Sequence, residues 1–260
     1  MPARSLALVL ACAWCTAGAT PTMYFTTDLP VPAEEEWHAS KRPGLTARVR
    51  EVANRANVSY TIRQYPWTRA YAVALSRKDA CVFATSRTPE REEHFKWVGP
   101  LYVRTWVLVG RAGQDYQVRT LEDARKYRIG TFAGDAAHEY LRSRGFQVDA
   151  AQSDNSNPQK LLMGRIDLWV SANAETGPEY GAYYPHAIVP VLKFNTVGLY
   201  LACNKAVPDA VVTRLNTAAA SMLRDLARTG SREGVPPDRR TRRPPCLLPG
   251  TPDMVTKACE

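Results

Sequence analysis

The amino-acid sequence predicts an α/β protein built as two lobes, and three observations carry that expectation. Short β-rich runs alternate with helix-period segments up to Ala80, and the same alternation restarts after Gly110. Two longer apolar runs, residues 95–109 and 187–204, sit at the junctions between the two series. A chain that leaves one α/β unit, builds a second and returns to the first crosses between them twice.

The first series opens with a strand over residues 23–27 that ends at Asp28. A helix over 46–56 follows, with Leu45, Val49, Val52, Ala53 and Ala56 sharing a face. Residues 59–64 read as a second strand. Tyr65, Pro66 and Trp67 then turn into a short helix that directs Ala70, Tyr71, Ala74 and Leu75 inward. The strand beginning at Cys81 leads into a polar loop carrying Thr85, Ser86, Arg87, Thr88, Glu90 and Arg91. Ligands of open α/β sheets bind beyond the carboxyl ends of strands. Guanidinium forks placed there suit a carboxylate or another anion; a solvated charged turn is the alternative.

In the second series, the spacing from Thr120 to Asp123 is capping-box-like and opens a short helix. A strand over 127–132 follows, then a helix with Asp135 as N-cap and Gly145 as stop. Residues 147–152 form the next strand. Asn157 is expected to cap a helix with Pro158 in its first turn and Gly164 at its end, before a strand over 167–171. After the return run, apolar residues at helical spacing from Val212 to Leu226 predict a long helix over 209–228.

At 260 residues the chain can bury one large core or two modest ones. The net charge of +9 is spread along the sequence, with no basic motif interleaved with aromatics, so nucleic acid is not an expected partner. Residues 1–19 combine an early Arg4, an apolar run and Ala17-Gly18-Ala19, which reads as a secretory signal peptide; acylation at Cys12 is the competing reading. No later stretch reaches the about 18 apolar residues that span a bilayer. An exported, periplasmic protein is expected. Residues 20–109 and 189–230 would form lobe 1, residues 110–188 lobe 2, and the Pro- and Arg-rich residues 231–260 a disordered tail.

Cleavage after Ala19 leaves Cys81, Cys203, Cys246 and Cys259, and none has metal-ligand spacing. Cys81 and Cys203 lie in apolar strand-like runs and read as buried free thiols. His38, His94, His138 and His186 show no metal or catalytic spacing. No cofactor is expected, and Ser86 lacks a nucleophile-elbow pattern.

Five segments carry a resemblance: YPWTRA at 65–70, TSRTPER at 85–91, FKWVGPL at 95–101, RIGTFAG at 128–134 and LLMGRID at 161–167. At this spacing the chain resembles the periplasmic solute-binding proteins of ABC transporters, of the amino-acid-binding type called family 3. The resemblance implies a type II two-lobe fold with a hinge of two crossing strands that closes over a small ligand. It implies that Arg91 binds a ligand carboxylate, that Ser86 and the Ala84 backbone contact the ligand, and that Trp67 forms an aromatic wall. In lobe 2 it points to the helix N-terminus at Asp135 and Ala136, and to the strand end at Ser171. Ala172 stands where the family commonly has an amine-binding Asp, and Asp135 where a hydroxyl is usual; only Trp37 is left to supply the family's aromatic near the first loop. Arg91 has a structural alternative, an ion pair with Glu90, Glu92 or Glu93. The implied partners are a small-molecule ligand and an ABC permease, with the protein a monomer. A dehydratase-like enzyme using Asp135 or Asp28, or a non-binding relative acting through its basic tail, are the other readings.

Overall fold

A computed structural model describes residues 22–31, 44–152, 154–171 and 186–228. The expectations for the leader, Cys12, Trp37, His38, Ala172, Cys246, Cys259 and the tail fall outside the described residues.

Strand β1 (Met23–Thr27) is covered on both faces, burying all but Tyr24 among its side chains. Near-continuous burial of this kind belongs to a parallel strand between helix layers. It pairs in parallel with β2 (Tyr60–Gln64) and with β3 (Ala80–Ser86). Helix α1 (Leu45–Arg55) connects β1 to β2 and buries Leu45, Val49, Val52 and Ala53, the stripe read from the sequence. Helix α2 (Trp67–Ser76) connects β2 to β3 and buries Ala70 and Ala74. Leu75 was expected to point inward with them but is 44% exposed, because a ten-residue helix resting on alanines presents too narrow a stripe to include it.

Strand β3 runs two residues past the expected loop start, so Thr85 and Ser86 pair with Tyr200 and Leu199 instead of leaving the sheet. Helix α3 (Pro89–Glu92) is a single turn, and β4 (Phe95–Arg111) follows. The second unit consists of β5 (Ile129–Phe132), α4 (Ala136–Ser143), β6 (Val148–Ala151), α5 (Asn157–Leu162) and β7 (Leu168–Ser171). The segment with capping-box spacing opens a 3₁₀ turn, Glu122–Lys126, in which the Asp123 carboxylate accepts the backbone N–H groups of Arg119 and Thr120. Asn157 does not cap its helix. Its side chain is fully buried, with Nδ2 donating to the Thr131 carbonyl and to Asp154, so tertiary contacts orient the amide and its Oδ1, the acceptor a cap would use, caps no helix N–H. Strand β8 (Ile188–Asn204) returns the chain to the first unit, and α6 (Asp209–Arg228) closes it.

The strands form one sheet in the order β2-β1-β3-β8-β4-β7-β5-β6. The two 17-residue strands β4 and β8 lie antiparallel at its centre and change neighbours along their length. Leu199 to Cys203 of β8 pair with β3, whereas Val107 to Gly110 of β4 pair with β7. Between these ends Tyr102 to Trp106 face Asn195 to Leu199, a ribbon two strands wide over most of its length, with register shifts beside it. This is the hinge of two crossing strands. One core, under α1 and α6, gathers Phe25, Val49, Phe83, Leu201 and Leu215; α2 covers the opposite face with Ala70, Ala74 and Phe95. The second unit repeats the sandwich, with Ile129, Leu141 and Leu168 on the α4 side and Leu161, Ile166 and Trp169 on the α5 side.

Cys81 and Cys203 are not free thiols: they are joined in a disulfide. The antiparallel register of β3 and β8 places the two residues directly opposite each other, a relation that neither strand shows alone.

Candidate functional site

The carboxyl ends of β1 and β3 face those of β5 and β6 across the hinge, and the chain delivers its polar groups there. Ala84 is the first unusual position. Its φ of 64° is left-handed, and the pairing of β3 with β8 shifts register between Val82 and Thr85. The bulge re-aims the strand end, and Ser86 then closes it, 2% exposed. Pro89 starts the single turn of α3, with its ring already set for a helical φ.

That turn separates two arginines. Arg87 stays at the surface, held by the Glu92 carboxylate, with its guanidinium 5.6 Å from the Trp97 and Tyr200 ring centres. Arg91 turns inward, and its side chain is 4% exposed. Its guanidinium lies 5.2 Å from the Tyr71 ring centre and 5.7 Å from that of Trp67. The charged partner is none of the three neighbouring glutamates that the sequence offered. Arg91 Nε and Nη2 approach Glu139 Oε2 of the second unit at 3.1 and 2.9 Å, and Nη2 also donates to the Gly134 carbonyl at 2.9 Å. Trp67, the first residue of α2, donates its Nε1–H to that same carbonyl at 2.7 Å.

On the second unit, Gly134 has a φ of +76°, a conformation open to glycine at little cost, and this turn precedes α4. Asp135 caps α4, its Oδ2 accepting the Ala137 N–H at 3.1 Å. Its carboxylate therefore occupies the helix N-terminus that the resemblance reserved for a ligand anion. Ala136 is buried in the first turn, and Ser171 is buried at the end of β7, opposite Val107.

Three groups complete the cleft. Asp28 follows β1, Asp154 follows β6 and Arg104 lies at the middle of β4. Burial pushes the Asp28 carboxyl above the usual carboxylate range, with its own backbone hydrogen bond and Arg104 opposing and Asp135 adding to the rise. Burial likewise raises Asp154, to about 6, against hydrogen bonds from Asn157 and Trp169, and the same Asp135 and Arg104 charges reach it. Trp169 Nε1 donates to Asp154 Oδ1 at 2.7 Å and Asn157 Nδ2 at 2.9 Å. Asp28 from the first unit and Asp154 from the second thus share the fields of Asp135 and Arg104.

The structure brings Arg91, Trp67 and the Gly134–Asp135 turn into contact across the cleft; Ala84 and Ser86 lie on the strand leading to it, while Ala136 and Ser171 sit buried on the far side. Sequence reasoning missed Glu139, Asp154 and Arg104. Glu139 lies 48 residues from Arg91, and its own helix gives no sign of the pairing; for Asp154 the one local signal is Asn157 three residues on. His138 accepts or donates a 3.0 Å bond with Thr131 Oγ1, and burial, then the Arg142 charge, lowers its pKa. Among the described residues no group of three or more His, Cys, Asp or Glu side chains is arranged to hold a metal ion.

No family model and no curated protein matches the sequence. Solved structures do match. A histidine kinase sensor domain with similarity to periplasmic binding proteins superposes with a TM-score of 0.66 at 16% identity, over 82% of this chain and 92% of that one. An ancestral arginine-binding protein bound to arginine gives 0.64 at 18% identity, over 81% and 96%. The GluR0 ligand-binding core from Nostoc punctiforme in complex with L-glutamate gives 0.63 at 19%, over 81% and 95%. At these identities the likeness is one of fold, and the fold of this chain is the two-lobe α/β architecture of the periplasmic binding proteins.

Proposed function

We propose that the protein is an exported solute-binding protein, a monomer that captures a small, polar, carboxylate-bearing ligand by closing its two lobes, for ABC-type uptake or for sensing. The observation that carries this reading is the meeting of Arg91 and Trp67 from one lobe with the Gly134–Asp135 turn of the other. A buried guanidinium backed by two aromatic rings is a desolvated fork for a carboxylate. The remaining polarity is acidic. Asp28 and Asp154 both feel the Asp135 charge, with Arg104 opposing it, which favours a ligand with a positively charged group at the pole away from its carboxylate. Such a ligand touches both lobes at once, so its binding free energy biases the hinge toward closure. Its capture is by contacts and exclusion of water, with no chemical step.

Thermal unfolding in the presence of amino acids, dicarboxylates, polyamines and short peptides tests the reading. A compound carrying both a carboxylate and a cation stabilises the protein by about 2.7 kcal/mol at a hundredfold excess over its Kd, and Arg91→Ala abolishes that shift. Equal shifts in parent and Arg91→Ala, or none from any compound, count against it.

A further inference from the structure

We propose that Glu139 is a resident occupant of the Arg91 fork, and that together they form a latch holding the two lobes closed before any solute arrives. Arg91 belongs to the single turn after β3, Glu139 to the first turn of α4, and the two elements lie on opposite sides of the hinge. The contact has the geometry of a built site. The guanidinium is almost wholly buried, two of its nitrogens approach one carboxylate oxygen at 3.1 and 2.9 Å, and the Gly134 carbonyl takes a third hydrogen bond at 2.9 Å. Trp67 Nε1 binds that carbonyl from the same lobe as Arg91.

Glu139 differs from Arg91 in exposure: its side chain is 39% exposed. A carboxylate with water beside it can leave the fork without crossing the core, whereas Arg91 has nowhere else to go. The latch is therefore released from the Glu139 side. An incoming carboxylate competes for the guanidinium while the Trp67–Gly134 bond still spans the cleft, so exchange of one carboxylate for another converts a self-closed protein into a ligand-closed one. The exchange step rests on the ligand reading given above; the self-closed state does not.

Small-angle scattering and hydrogen exchange on the full chain with no solute added test the latch, using Glu139→Gln, Glu139→Ala and the control Glu122→Gln, which alters an ion pair with Arg125 inside one lobe. Both Glu139 variants are expected to scatter as more extended particles and to exchange faster at Trp67 and across residues 134–137, while the control behaves as the parent. Parent-like scattering and exchange in both Glu139 variants would overturn the latch and leave solute binding untouched. Failure of the ligand screen would in turn leave the latch standing, because its test uses no ligand.

Discussion

Ala84 holds a left-handed φ of 64° in a strand otherwise regular on both sides. A residue with a Cβ pays roughly 1–2 kcal/mol for that conformation, and the cost turns the end of β3 toward the cleft. Glycine relieves the strain while adding freedom to the unfolded chain, so Ala84→Gly is expected to stay within about 1 kcal/mol of the parent in urea denaturation. A β-branched side chain tolerates the position least, and Ala84→Val is expected to lose about 1–3 kcal/mol. Asp154 offers a second measurement. Its carboxyl sits near 6 in the folded protein, above its value of 3.8 in a solvated chain. The folded state therefore binds more protons than the unfolded state between those two values. The contribution of Asp154 is most favourable below the lower value and is lost as pH rises through about 6. Asp154→Asn removes this dependence and keeps an acceptor for the Trp169 indole. Its melting temperature relative to the parent should climb from pH 4 to pH 7; a constant difference would show that Asp154 is not titrating there.

At the scale of elements, the bridge between β3 and β8 ties the strand that carries Ala84 and Ser86 to one of the two hinge strands. It closes a loop of 122 residues that contains β4 and the whole second unit. A constraint of that length acts mainly on the unfolded chain, and replacing both cysteines by alanine is expected to cost about 2–5 kcal/mol in equilibrium unfolding. If the double variant is as stable as the parent, the cysteines behave as the free thiols that the sequence suggested. The start of α4 carries the N-cap that the sequence predicted at Asp135. A helix N-terminus is an anion site only while its N–H groups point at solvent or ligand. Here the Asp135 carboxylate takes one of them, and its charge, shared with Asp28 and Asp154, disfavours a second anion.

Over the whole molecule, the two lobes are joined by a continuous sheet that narrows to two strands at the hinge. A ribbon paired on one edge only bends more easily than the five-stranded parts of the sheet on either side. Among the described residues, Arg91, Trp67, Glu139 and Gly134 make contacts across the cleft. Outside the cleft, α6 returns the chain to α1, where Arg55 pairs with both Glu51 and Asp225. These are exposed pairs worth little each. The apolar seam of Val211, Leu215, Ala219 and Met222 holds α6 in place.

Local pattern determined most of this architecture. The stripe on α1, the N-cap at Asp135, the stop at Gly145 and the two long apolar runs each state an element within a window of some ten residues. The order of those elements then fixes a doubly wound fold with two crossings. The same windows placed Arg91 and Trp67 at strand and helix ends, where ligands bind. What a window cannot hold is a partner at long range. Only the register of β3 on β8 pairs Cys81 with Cys203, only the tertiary approach of α3 and α4 gives Arg91 its glutamate, and only the fold brings Asp28 and Asp154 within reach of the same Asp135 and Arg104 charges. Secondary structure follows from neighbours in the chain, whereas the charge state and occupancy of a site follow from neighbours in space, and in this protein those neighbours come from opposite lobes.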